Sequence, residues 1–343
     1  MYLGLREEVP IIRLEYTMKN HRVLVTEANH IVGIHLIEKL VALGNDVKTL
    51  VRYDYYDDRR LLEYLLPYCR NKIKIISGSI TNPEVISHAI SDVDIVLHLS
   101  VTDTVPYSEI NLRDFITENI LGTFNLLEAS KTHGIQHLIY VSTGDVYGKA
   151  SVIPTAEAQP AKPLSPQTAA CIGSENLVEG YWASQNVPTT IVRLFNPYGP
   201  MQSKRAIIPT IISQALVKPN VLLGNMHAER DFIYVDDAIE GLLKVLDSDQ
   251  LIGEKINLGS GTGISIGNLA EKILSIMDKD VEILFDATRI RSESQDVEKI
   301  LADITKANVL LGWEPKISIE EGLIKTINWF SQNLDVAQLS ERI

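Results

Sequence analysis

The sequence predicts an α/β fold: a doubly wound parallel sheet, followed by a smaller C-terminal α/β lobe that would hold the substrate. Three observations carry that expectation. Short apolar runs alternate with helical patterns from residue 22 onward. Those runs are apolar almost throughout, as strands covered on both faces should be. After about residue 194 the pattern loosens into proline- and glycine-marked turns with shorter elements.

Taken in order, Met18-Lys19-Asn20-His21 leads into a strand at Val23–Thr26, so residues 1–17 read as an extension ahead of the first domain. Ile31–Leu43 follows as a helix with Ile34, Ile37, Leu40 and Val41 on one face. Val47–Val51, Ile73–Ile76, Ile95–Leu99 and Leu138–Ser142 are the next strands, with a long helix at about Leu112–Thr132 before the last of them. Four prolines between 154 and 166 lead irregularly into a helix at about Gln167–Ser184. The strand Thr189–Leu194 opens the second part. The division expected is residues 18–188 for the main domain, 189–331 for the smaller lobe with strands interleaving into the first, and 332–343 as a tail.

Composition narrows the partners. A formal net charge of −12 over 343 residues argues against a phosphate-covered surface, so nucleic acid is not expected. No apolar run approaches the ~18 residues of a membrane span. Two cysteines, Cys69 and Cys171, make no disulfide framework and suit a reducing cytoplasm; with eight scattered histidines they suggest no metal site.

The first βα turn reads Thr26-Glu27-Ala28-Asn29-His30-Ile31-Val32-Gly33. It resembles the T-G-x-x-G-x-x-G turn of extended short-chain dehydrogenases/reductases, with Glu27 and His30 in place of the first two glycines. Glycines there make the tight turn, let the backbone approach a pyrophosphate and pack helix on strand. A carboxylate at Glu27 facing that pyrophosphate at ~5 Å would cost about 3 kcal/mol at an effective dielectric near 20. A protonated His30 would offset part of it. Beyond the second strand, Arg52 stands where an acidic residue often bonds the adenosine ribose; an arginine there suits a 2′-phosphate. Ser77-Gly78-Ser79-Ile80 resembles the Gly-Asp-Ile segment near adenine, with Ser79 replacing the aspartate. Leu99 and Ser100, at the end of the fourth strand, complete the dinucleotide set that the resemblance implies.

Val141-Ser142-Thr143-Gly144-Asp145-Val146-Tyr147-Gly148 resembles the S-T-x-x-V-Y-G segment of nucleotide-sugar 4,6-dehydratases. The resemblance gives Thr143 the substrate's 4-hydroxyl, and leaves Asp145 as a carboxylate where an acid pair would lie. Ser165-Pro166-Gln167-Thr168-Ala169-Ala170-Cys171 then aligns with S-P-Y-x-x-S-K, so the tyrosine has become Gln167 and the lysine Cys171. That i, i+4 pair lies on one helix face, where the ammonium lowers the phenol's pKa for proton removal. Glutamine cannot act as a base, and losing one typically costs about 10²–10⁴-fold. Of thirteen tyrosines only Tyr68 has a lysine four residues on, Lys72, outside the motif's context.

The C-terminal signals persist. Arg193-Leu194-Phe195-Asn196-Pro197-Tyr198-Gly199-Pro200 resembles R-x-F-N-x-Y-G-P, and Glu229-Arg230-Asp231-Phe232 resembles R-D-F with its preceding residue. Leu223-Gly224-Asn225 and Arg289-Ile290-Arg291-Ser292 match segments near the nucleotide. The resemblance therefore implies a Rossmann-type sheet and a sugar-nucleotide site at Asn196, Leu223, Asn225, Arg230 and Arg291, with UDP-, GDP-, CDP- or dTDP-linked sugars as ligands. It implies NAD or NADP as cofactor, while the altered turn opens the reading in which that binding is lost. Two functions stand side by side: a sugar-nucleotide-binding pseudoenzyme or partner subunit, and an active dehydratase or epimerase with a rearranged catalytic set. A homodimer, or a heterodimer with an active paralogue, is expected through the two long helices.

Overall fold

The computed structural model describes residues 20–52, 65, 67–99, 112–289 and 297–333. Ser100, Arg291, the N-terminal extension and the tail after residue 333 lie outside the described residues.

Seven parallel strands form the main sheet: β1 (Arg22–Thr26), β2 (Asp46–Val51), β3 (Ile73–Ser77), β4 (Ile95–Leu99), β5 (His137–Thr143), β6 (Thr189–Leu194) and β11 (Lys255–Leu258). Their order is β11-β6-β5-β4-β1-β2-β3. The chain winds outward from β1 in both directions, which places a crevice beyond the C-terminal ends of β1 and β4, where such sheets receive ligands. β6 and β11, from the second half of the chain, add two strands to this sheet beyond β5.

Both faces are covered. Val23 and Val25 point into a core with Ile34, Ile37 and Leu40 of α1 (Ile31–Ala42). Leu24 points the other way, into a core with Ile86 of α2 (Pro83–Ile90) and Leu126 and Leu127 of α3 (Leu112–His133). This is why the strands read as continuous apolar runs. α3 runs from Leu112 to His133 but is not one regular helix: Leu112–Thr117 and Thr123–His133 flank a π turn at Glu118–Gly122. α4 (Pro166–Gln185) begins with a Ser165–Thr168 capping box and Pro166 in its first turn.

The smaller lobe carries β7 (Pro197–Tyr198) with β10 (Ile233–Tyr234), β8 (Asn220–Leu223) with β13 (Glu282–Phe285), and the sheet β12-β9-β14 of Gly263–Ser265, Glu229–Asp231 and Lys299–Ile300. Its organising group is the buried Asp231 carboxylate. It accepts from Ser260 N (2.6 Å), Ser260 Oγ (2.6 Å), Gly261 N (3.0 Å) and Ala302 N (3.0 Å), tying three segments together. No helix among the described residues is long and apolar enough to cross a membrane.

Candidate active site

The turn after β1 keeps the glycine geometry without the glycine. Glu27 takes φ +51°, the left-handed region, at about 1 kcal/mol for a residue with a Cβ. Ala28 is buried; Asn29 and His30 are half-buried, and both ring nitrogens of His30 lie out of reach of solvent. His30 is the N-cap of α1 in extended conformation, with Ile31 buried behind it. Gly33 is the residue the local packing demands: a Cβ there would lie 2.4 Å from Ala28 Cα and 2.5 Å from Ala28 O. Beneath the turn, Thr26 Oγ1 and Thr123 Oγ1 meet the two nitrogens of His98 at 2.8 and 3.0 Å. Burial pushes the His98 pKa down to about 3, so this link between β1, β4 and α3 is neutral.

At the other end of the crevice Arg52 pairs with Glu118 of α3 and lies 3.8 Å from Asp114. The Ser79 hydroxyl turns into its own loop, 2.7 Å from Thr81 Oγ1 and accepting from Thr81 N at 3.2 Å. Ile80 and Leu99 are core residues. The partner of Arg52 was not legible locally, since Glu118 is 66 residues away.

The dehydratase-like segment closes β5. Thr143 is half-buried and its hydroxyl accepts from Asp145 N at 3.2 Å; Asp145 is exposed at the sheet's C-terminal edge. Gln167 is half-buried at the start of α4, one turn before Cys171. Cys171 is 2 % exposed and packs with Val146, Tyr147, Phe195 and Ile300. Burial, with smaller contributions from Glu175 and Asp145, pushes its thiol up to about 12.

One turn further along α4 stands a group the motif reading passed over. Glu175 receives Arg193 through Nε (3.0 Å) and Nη2 (2.6 Å), both side chains being 2 % exposed. Arg193 lies over the Tyr147 ring at 4.5 Å, and Tyr147 Oη donates to Asn257 Oδ1 at 2.8 Å. The spacing Gln167, Cys171, Glu175 was the available signal, because every fourth residue falls on one helix face. These groups fix α4 to the sheet below the positions where proton transfer would occur.

In the smaller lobe Asn196 donates its amide to Asp231 O at 2.9 Å, and Asn225 Oδ1 accepts from His227 N at 3.0 Å. Leu223 is buried at the end of β8. Arg230 Nη1 is held by Glu229 O (2.9 Å) and Val297 O (2.7 Å). Gly224 sits so close to Arg289 O that a Cβ would be 2.5 Å from it, which brings the segment before residue 290 against the end of β8. Among the described residues no cluster of His, Cys, Asp and Glu could hold a metal ion.

A doubly wound parallel sheet, a strand–turn–helix crevice at β1 and a set of smaller sheets formed by the second half of the chain define an extended short-chain dehydrogenase/reductase of the epimerase and dehydratase type. Comparison with known proteins makes this specific. The model of the GDP-mannose 4,6 dehydratase family matches residues 24–326, and the chain belongs to that family. It is 29 % identical to mouse dTDP-D-glucose 4,6-dehydratase, over 91 % of this chain and 89 % of the relative. It is 30 % identical to an uncharacterized UDP-glucose epimerase of Bacillus subtilis, over 90 % and 98 %. Among solved structures, an epimerase from Methanothermobacter thermautotrophicus superposes with a TM-score of 0.85 at 27 % identity, covering 94 % of this chain and 96 % of that one. UDP-glucose 4-epimerase from Thermotoga maritima, solved with UDP-glucose, gives 0.81 at 28 % over 91 % and 99 %. A Streptomyces venezuelae dTDP-glucose 4,6-dehydratase solved with NAD gives 0.82 at 25 % over 92 % and 98 %.

Proposed function

We propose that this member of the family binds a nucleotide sugar but no longer performs NAD-dependent redox chemistry, acting as a pseudoenzyme or partner subunit. The observation that carries the reading is Cys171. At the position the resemblance gives to a lysine, a neutral thiol is sealed in an apolar cluster, with a pKa near 12. It supplies no positive charge to a neighbouring group, and Gln167, one turn earlier, has no proton to exchange near neutrality. A dinucleotide fits the other groups poorly: a carboxylate stands at the pyrophosphate turn, an imidazole fills the second glycine's place, and Arg52 is engaged by carboxylates.

The nucleotide-sugar side is better preserved. Arg230 is anchored at Nη1 by two carbonyls, which fixes a guanidinium suited to a diphosphate, and Asn196 is fixed beside it through Asp231 O. Relatives solved with UDP-glucose or a UDP-glucuronic acid derivative support this ligand class. Exposed Ile120, Leu121 and Phe124 of α3 and Trp182 of α4 support pairing of these helices with a second subunit, a copy of this chain or an active paralogue. One observation favours a second reading, an active lyase or isomerase without redox chemistry: the Thr143 hydroxyl and the exposed Asp145 carboxylate share one turn at the sheet edge.

The test is to release and identify by mass spectrometry whatever the purified protein carries, together with thermal shifts against NAD, NADP and UDP-, GDP-, CDP- and dTDP-sugars. The expected result is no dinucleotide and a shift with one sugar nucleotide. Stoichiometric NAD overturns the proposal. The variant Glu27→Gly/Gln167→Tyr/Cys171→Lys should gain NAD binding and turnover that the natural chain lacks.

A further inference from the structure

Three groups that the resemblance assigns to the adenosine end of the crevice are engaged by the protein itself. Arg52 emerges from the end of β2, level with the β3 turn because Gly78 N donates to Val51 O at 2.9 Å. α3 is pressed against that turn: the Asn125 amide donates to Ile80 O at 3.2 Å, and a Cβ on Gly122 would lie 2.6 Å from Ile80 Cγ2. Glu118 and Gly122 bound the π turn, a local underwinding that recurs at functional positions of helices. That turn sets Glu118 against the Arg52 guanidinium, with Asp114 one turn before it at 3.8 Å. Ser79, the remaining polar group, bonds to Thr81.

We infer that Arg52, Glu118 and Asp114 form the specificity element for the adenosine end of the groove, closed on itself so that it favours neither NAD nor NADP. The inference rests on the reading that the dinucleotide half of the site has been relinquished. A 2′-phosphate is recognised by an arginine with charge to share, and here one cation already faces two carboxylates. A bare ribose diol is recognised by a carboxylate acceptor, and Glu118 is already bonded to Arg52. Each selectivity is therefore cancelled by the residue that would supply the other.

Isothermal titration of the full chain with ADP-ribose and 2′-phospho-ADP-ribose tests this at low salt. Arg52→Ala releases the carboxylates and should raise affinity for ADP-ribose about two- to fivefold, the scale of one partly exposed charge pair, without helping the phosphorylated probe. Glu118→Gln with Asp114→Asn releases the arginine and should do the reverse. Thermal midpoints confirm that each variant folds, and Arg52→Gln replaces alanine if the latter unsettles the edge. Equal gains for both probes, or no gain in either variant of a protein that carries no dinucleotide, overturn the specificity element and leave the functional reading standing. Stoichiometric NAD in the natural protein overturns both.

Discussion

In the native protein Cys171 should react with iodoacetamide at least about a thousandfold more slowly than a free thiol. The perturbation is a brief alkylation pulse at pH 8. The side chain is 2 % exposed, against Val146, Tyr147, Phe195 and Ile300, and burial is the main reason its pKa rises from 9.0 to about 12. The reactive species is the thiolate, so that displacement alone leaves about one-thousandth of the usual amount at any pH below 9. The protection needed to reach the sulfur at all comes on top of it. Cys69 is also buried with its thiol pushed up, first by burial, so neither cysteine should label quickly. Peptide mass spectrometry after quenching, against a urea-unfolded control, gives the ratio directly. Native labelling of Cys171 within tenfold of the control would refute the reasoning and reinstate an available thiolate at the lysine's position. The same displacement has a thermodynamic face. The unfolded thiol ionises first, so the contribution to stability is complete below pH 9 and declines as pH rises toward about 12. The total is at most about 4 kcal/mol, and Cys171→Ala should flatten that decline in urea titrations.

Two further perturbations separate scaffold from site. Glu175→Gln leaves the Arg193 guanidinium buried without its carboxylate and should cost about 3–5 kcal/mol in urea unfolding, much of it recovered by Glu175→Leu with Arg193→Met; a loss under about 1 kcal/mol would refute the pair's importance. Gly33→Ala drives a methyl into Ala28 and should lose about 1–3 kcal/mol, whereas Glu27→Gly relieves a left-handed φ and should gain about 1 kcal/mol, both read as thermal midpoints.

The sheet was legible because its strands are buried on both faces, which writes them as unbroken apolar runs; Ile95–Leu99 and Thr189–Leu194 match their expected limits. The π turn in α3 was not, because Glu118–Gly122 keeps an ordinary helical composition and the groups that meet it there, Ile80 and Ser174, come from other elements. α2 escaped the pattern reading as well, although its Asn82 cap and Pro83 were signals for it. At the site, the loss of the tyrosine and lysine could be read from side-chain chemistry at fixed spacing. What replaced their function could not. The burial of Cys171 requires Phe195 and Ile300, and the engagement of Arg52 requires a helix 66 residues away. At Glu27 the sequence places a carboxylate at the first glycine's position, and the backbone there takes the left-handed conformation and bears its strain.

Gly33 shows that a nucleotide-binding motif is two inventories written over one another. Its missing side chain leaves room for Ala28, a neighbour present whether or not any ligand arrives, while the first two glycines of such a motif serve the turn and the approach of a pyrophosphate. In this chain positions 27 and 30 carry Glu27 and His30, whereas position 33 keeps its glycine. The surviving glycine is therefore a record of how α1 was built, and carries no information about what the crevice now holds.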